Sequence, residues 1–206
     1  MDRICVVTTK SKAYYTLVSR LRRAGLPFYS LMPESNSSEC GIVLTTADEV
    51  ASLGRRALAL EDLDESPGVF RAQIVSRLVA GDDAVFVGID PGKRTGLAVF
   101  CGQTSLAFST FHTVGALYSR VRDFAAGIPD RRFIVRIGNG NMAMASRLAE
   151  GIRRTVPRAT VEIVDESGTS ARKYRIKGVQ GDQGAAARIA FRRGEVFGSG
   201  TPRTPG

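Results

Sequence analysis

The chain runs to 206 residues, 43% of them hydrophobic, with a formal net charge of +9. That is enough apolar material for one large or two small domains with real cores, and no apolar run approaches the ~20 residues that a membrane helix needs. The charge is lopsided: residues 1–83 hold 10 basic and 11 acidic side chains, residues 84–206 hold 19 and 9, so the second part is the one suited to a polyanion such as nucleic acid.

The opening Met-Asp-Arg-Ile-Cys has no signal-peptide h-region. Cys5, Cys40 and Cys101 are odd in number, widely spaced and free of any CxxC pair. They read as reduced thiols of an intracellular protein, and a cytoplasmic location is expected. Ile4 to Thr8 reads as a buried strand, followed by a helix from Ser11 to Ala24 with Tyr14, Leu17, Val18 and Leu21 at helical spacing and Gly25 as its stop. Short strands follow at 27–31, 41–45 and 57–60, with a short helix over 48–53 and an acidic loop at 61–65. A helix from Pro67 to Val79 ends this region, with Pro67 acceptable in its first turn. Strands alternating with helices predict a small parallel α/β domain over residues 1–80, an accessory or interaction module. Within it, Thr8-Thr9-Lys10-Ser11 could hold a phosphate at a helix N-terminus, although it lacks the glycines of a Walker A loop. Gly81-Asp82-Asp83 is the expected hinge.

Val85 to Ile89 is a β-branched and aromatic run of strand length. Pro91-Gly92 turns the chain, and Thr95 to Phe100 returns as an antiparallel neighbour. Asp90 therefore stands at the open end of a strand among small residues, where a metal or a phosphate can come close to the backbone. A third strand over 105–111 and a helix from Val114 to Ala126 follow. His112, the only histidine, lies near a strand end and reads as a packing or surface residue. Phe133 to Ile137 is a fourth strand, running into Gly138-Asn139-Gly140-Asn141 and a helix to about Arg154. Val161 to Val164 is a fifth strand ending in Asp165-Glu166, and Gly181-Asp182 opens a small-residue helix to about Arg193. Residues 84–197 thus form a second domain of order βββαβαβα, and the Gly, Ser, Thr, Pro tail at 198–206 is expected to be disordered.

Gly88-Ile-Asp90-Pro-Gly with Thr95-Gly-Leu-Ala-Val resembles the first hairpin of RuvC-like and YqgF-like proteins of the ribonuclease H-like superfamily. The resemblance covers about residues 84–195 and implies that Asp90 is a metal-binding catalytic carboxylate. Val164-Asp-Glu-Ser-Gly-Thr-Ser170 is similar to the YqgF-like segment in which an Asp-Glu pair ends a strand. Asp182 before Ala185-Ala-Ala is similar to the final-helix Asp of both groups. By that likeness Asp90, Glu166 and Asp182 form the catalytic, metal-binding set, with Asp165 as the neighbouring alternative metal ligand. Carboxylates suit Mg²⁺ (or Mn²⁺), and two such ions about 4 Å apart can activate water and stabilise the leaving oxygen of a phosphodiester.

Lys93 and Arg94 beside Asp90, the run Arg172, Lys173, Tyr174, Arg175 and Lys177, and Arg188 on the last helix (with Arg192 and Arg193) are the expected nucleic-acid contacts. The cations would grip phosphates, and Tyr174 would stack on a base. Asn139 and Asn141, in a glycine-flanked turn before a helix, are candidate phosphate contacts. The function expected is a Mg²⁺-dependent nuclease of structured DNA or RNA, with nucleic acid as partner, no membrane, and a homodimer allowed. There are departures: the fourth strand ends in Arg136-Ile-Gly-Asn139 without the acid of RuvC-like enzymes, which favours the YqgF-like branch. Ser167 stands where that branch has Arg, and the interval from Glu166 to Asp182 is short. These keep open a nucleic-acid-binding module that has lost cleavage. A related hairpin serves actin-like ATPases as a phosphate loop, but the sequence repeats neither that hairpin nor an adenosine site.

Overall fold

The computed structural model describes residues 3–54, 56–79, 84–166 and 181–198. The chain divides into two compact units, Met1–Ala80 and Gly81–Gly206. The first contains β1 (Arg3–Val6), α1 (Ser11–Arg23), β2 (Tyr29–Ser30), β3 (Cys40–Thr45), α2 (Val50–Leu53), β4 (Ala57–Ala59), a 3-10 turn at Leu60–Asp62 and α3 (Pro67–Leu78). Its four strands pair in parallel in the order β2-β1-β3-β4. α1 buries Ala13, Leu17, Val18 and Leu21. It ends where Gly25 takes a φ of +63°, which lets the Leu26 N–H reach the Leu21 carbonyl and close the helix.

The reduced state expected for the cysteines is corrected. Cys5 and Cys40 are joined in a disulfide, with Cα atoms 5.9 Å apart. Parallel pairing of β1 with β3 brings them together in one core cluster, which a sequence separation of 35 conceals. Cys101 stays a buried thiol. The Thr8-Thr9 segment is turned toward the chain itself: Thr8, Thr9, Thr45 and Thr46 hydroxyls and the Thr9 N–H all donate to the Glu49 carboxylate, at 2.6 to 3.0 Å. Partial burial works to raise the pKa of Glu49, but the hydrogen bonds from Thr8, Thr46 and Thr9 outweigh it and hold the group well below the usual carboxylate range.

The second unit contains β5 (Val85–Asp90), β6 (Thr95–Cys101), β7 (Thr104–Phe111), α4 (Val114–Gly127), β8 (Phe133–Gly138), α5 (Met142–Thr155), β9 (Thr160–Val164), α6 (Gly181–Ala190) and a short β10 (Glu195–Val196) that the sequence reading lacks. The sheet order is β10-β9-β8-β5-β6-β7. β5, β6 and β7 are antiparallel, whereas β5, β8 and β9 run parallel. This mixed sheet with its helices is compatible with the ribonuclease H-like fold.

Strand alternation divides the unit into two layers. Val85, Val87, Ile89, Leu97, Val99, Val135 and Ile137 are fully buried on one face. On the other, Phe86, Gly88 and Asp90 alternate along β5, and α6 lies across it. Ala186, Ala187 and Ala190 pack there with Ala98 and Phe100. The approach is close enough that a Cβ on Gly88 would run into the Ala186 carbonyl oxygen, so glycine is required by contact. Arg136, paired with Gly88 across the ladder, is buried on this face. Its Nε donates to Glu162 Oε2 at 2.8 Å, its Nη1 donates to the Ala190 carbonyl at 2.6 Å, and its guanidinium lies over the Phe86 ring. A charge on the sheet thereby fastens the C-terminus of α6.

Candidate metal and nucleic-acid site

Asp90 closes β5, and both of its neighbours in the sheet are glycines. Gly96 pairs with it from β6, and Gly138 follows Ile137, the partner of Ile89, on β8. Each glycine makes room for another acid. A Cβ on Gly96 would strike the backbone carbonyl of Asp182, in the first turn of α6, and a Cβ on Gly138 would strike the Glu166 carboxylate. β8 separates β5 from β9, so the fifth strand is not beside the first; Glu166 reaches toward Asp90 over the glycine that ends β8.

The electrostatics record the approach. Asp90 is half-buried and makes no ion pair or side-chain hydrogen bond among the described residues. Its pKa is pushed up to about 6, by desolvation first and then by the negative charges of Glu166 and Asp182, with Arg188 pulling it down. The other acids have local partners. Arg94 Nε lies 3.2 Å from Asp182 Oδ2. The Gly140 N–H donates to Glu166 Oε1 at 3.1 Å, and the Glu166 N–H donates to Asn139 Oδ1 at 3.0 Å. The Asn139 amide donates to Asp165 Oδ1 at 3.3 Å.

Asn139 and Asn141 both hydrogen-bond within the protein. Asn139 organises the Asp165-Glu166 pair from the end of the fourth strand, where RuvC-like enzymes carry an acid. Asn141 is the N-cap of α5, accepting from the Met144 N–H at 3.0 Å. The small residues around Asn139 hinted at close backbone approach, but no sequence signal said which side chain would come to it. Lys93 is exposed in the β5–β6 turn, where Gly92 has no positive φ, and Arg188 is half-buried on α6. Arg172, Lys173, Tyr174, Arg175 and Lys177 lie outside the described residues, as do Ser167, residues 81–83 and the tail from 199. A cavity of about 720 Å³ opens beside Asn139 and Asp165, between α5 and β10, lined also by Met142, Arg193 and Phe197.

Carboxylate oxygens are the donor type that a hard divalent cation takes, and Asp90 has no cationic partner in contact among the described residues. Among the described residues, no three of His, Cys, Asp and Glu stand close enough to ligate one ion. No helix among them is long and apolar enough to cross a membrane.

No family model matches the chain, and no curated protein matches it. Among solved structures it is similar to the X-ray crystal structure of Marinitoga piezophila Argonaute in complex with 5′ OH guide RNA, at 12% sequence identity and a TM-score of 0.29. The match covers 79% of this chain and 39% of the Argonaute chain.

Proposed function

We propose that this protein is a divalent-metal-dependent nuclease that hydrolyses phosphodiester bonds of structured DNA or RNA. The carrying observation is Asp90: an acid at a strand end, half-buried, its pKa raised by desolvation and then by two further acids, with neither flanking strand placing a side chain beside it. Such a group calls for a cation. Asp90, Glu166 and Asp182 would hold Mg²⁺ or Mn²⁺, with Asp165 as the neighbouring ligand. A divalent ion held there supplies Lewis acidity and a water acidic enough to attack near neutral pH. Asn139 orients Asp165 and Glu166, while Lys93, Arg94 and Arg188 would take the substrate's phosphates. The cavity beside Asn139 and Asp165 gives room for a nucleotide next to Asp165.

A second reading is a nucleic-acid-binding module that no longer cleaves. The Arg94–Asp182 ion pair and the absence of a closed ligand set among the described residues favour it. Cleavage of branched and single-stranded substrates in Mg²⁺ or Mn²⁺ separates the two. The nuclease reading expects cutting by the wild type and none by Asp90→Asn. Equal behaviour of both proteins, with salt-sensitive binding indifferent to metal, assigns the module instead.

A further inference from the structure

We propose that α1 of the first unit is a docking face for single-stranded nucleic acid, distinct from the acidic site of the second unit. The whole first unit is nearly neutral, yet its charge is segregated. Residues 1–33 hold six basic side chains and one acidic one, and the remaining acids follow from Glu34 onward. α1 itself carries Lys12, Arg20, Arg22 and Arg23 and no acid. Lys10 and Arg20 are neutralised by Asp48 and Glu65. Lys12, Arg22 and Arg23 are exposed and have no acidic partner among the described residues.

The pattern along the helix gives these charges a shape. Lys12, Tyr15, Ser19 and Arg22 are all exposed and fall at successive steps of three, four and three residues. They therefore form one stripe about 15 Å long. The opposite stripe is buried in the unit's own core, so α1 has no apolar face left for a lipid surface. Within the stripe Tyr15 is 71% exposed. Its ring meets Tyr14 edge-on with centroids 5.7 Å apart, and the Tyr14 hydroxyl is hydrogen-bonded to Ser30 on the edge strand β2. Tyr29 of that strand is also exposed, under the Arg3 guanidinium.

A solitary exposed tyrosine needs no explanation. A braced tyrosine between unneutralised cations is another matter, because it matches the two features of an unpaired strand: regularly spaced phosphates and accessible base faces. A duplex offers the phosphates but keeps its bases stacked inside. The face should therefore take both forms through charge and prefer the single strand through Tyr15.

The claim shares with the nuclease reading only the class of ligand, and its test is run on the full-length chain in EDTA, where cleavage plays no part. Fluorescence anisotropy is read with labelled oligo(dT), oligo(U) and a blunt DNA duplex at several salt concentrations. Lys12→Glu with Arg22→Glu should weaken all three about 10-fold and flatten the salt dependence. Tyr15→Ala should weaken the single strands about 10-fold and the duplex less than about twofold. Circular dichroism checks that these exposed substitutions leave the helix content unchanged. Unchanged affinities in the charge and Tyr15 variants overturn the docking face. An equal loss on single strands and duplex from Tyr15→Ala overturns the single-strand assignment. Loss of binding to phosphatidylserine vesicles with oligonucleotide binding intact overturns nucleic acid as the partner.

Discussion

Asp182 of α6 stands where a side chain on Gly96 would begin, so the position of the final helix against the sheet depends on a residue with no Cβ. Gly138 plays the same part toward Glu166, but with a difference that can be measured. On Gly96 an added methyl meets backbone; on Gly138 it meets the ends of the Glu166 and Ile189 side chains. Gly96→Ala should therefore cost about 3 kcal/mol of stability, in the upper range for overpacking. Gly138→Ala should cost about 1 kcal/mol yet reduce metal-dependent cleavage on the order of 100-fold through misplacement of Glu166. Denaturant melts and cleavage rates of the two variants check this contrast; equal stability losses would remove the distinction.

Asp90 makes stability fall as pH rises. Its pKa is raised to about 6, above the unfolded value near 4, so between these limits the folded chain keeps a proton that the unfolded chain has released. The native state is correspondingly weakened above pH 6. In EDTA, Asp90→Asn should be more stable than the wild type at pH 7.5 by about 1–2 kcal/mol, allowing for solvent screening of a half-exposed group. The two should be equal at pH 4. Mg²⁺ should raise the melting temperature of the wild type and leave Asp90→Asn unmoved.

Glu49 has the opposite sign. Its depressed pKa contributes stability that is present above the ordinary carboxylate range and lost as pH falls through and below it. Glu49→Gln keeps the shape and removes the charge that four hydroxyls and one N–H address. It should destabilise the protein at pH 7 by about 1–2 kcal/mol, and the gap should narrow in acid melts.

The Cys5–Cys40 bond spans 35 positions, and closing a loop of that size stabilises by roughly 2–4 kcal/mol. Reduction, or Cys5→Ser with Cys40→Ser, should lower protection from hydrogen exchange in β1 and β3 by that amount and leave β5, β6 and β8 unaffected. Thiol titration of the unfolded, unreduced chain should find one thiol, Cys101. Three would refute the bond.

The hairpin that presents Asp90 was legible in the sequence because β-branched residues, a Pro-Gly turn and a second apolar run agree locally. Glu166 and Asp182 were legible as residues at element ends, one after β9 and one opening α6. Their approach to Asp90 was less so, since it depends on what Gly96 and Gly138 lack, and absence of bulk has no signature until the strand order is known. Asn139 was read as a candidate phosphate contact; its hydrogen bonds to Asp165 and Glu166 could be foreseen only by knowing that β8 lies beside β9. The disulfide was missed for the same reason. A parallel pair of strands unites positions with no local trace of their meeting, and Glu49 finds its threonines through that same pairing.

The outermost strand, β7, is eight residues long, Thr104-Ser-Leu-Ala-Phe-Ser-Thr-Phe111, and contains no charge and no proline. Nothing among the described residues hydrogen-bonds along its far side. A rim of that kind is a template for a neighbouring chain, and proteins ordinarily blunt such rims with lysine or a kink. Here the register slip between Val99 and Phe100 on the adjoining strand is the visible irregularity. Association between copies at high concentration is therefore expected to run along this margin, and light scattering across a dilution series checks it.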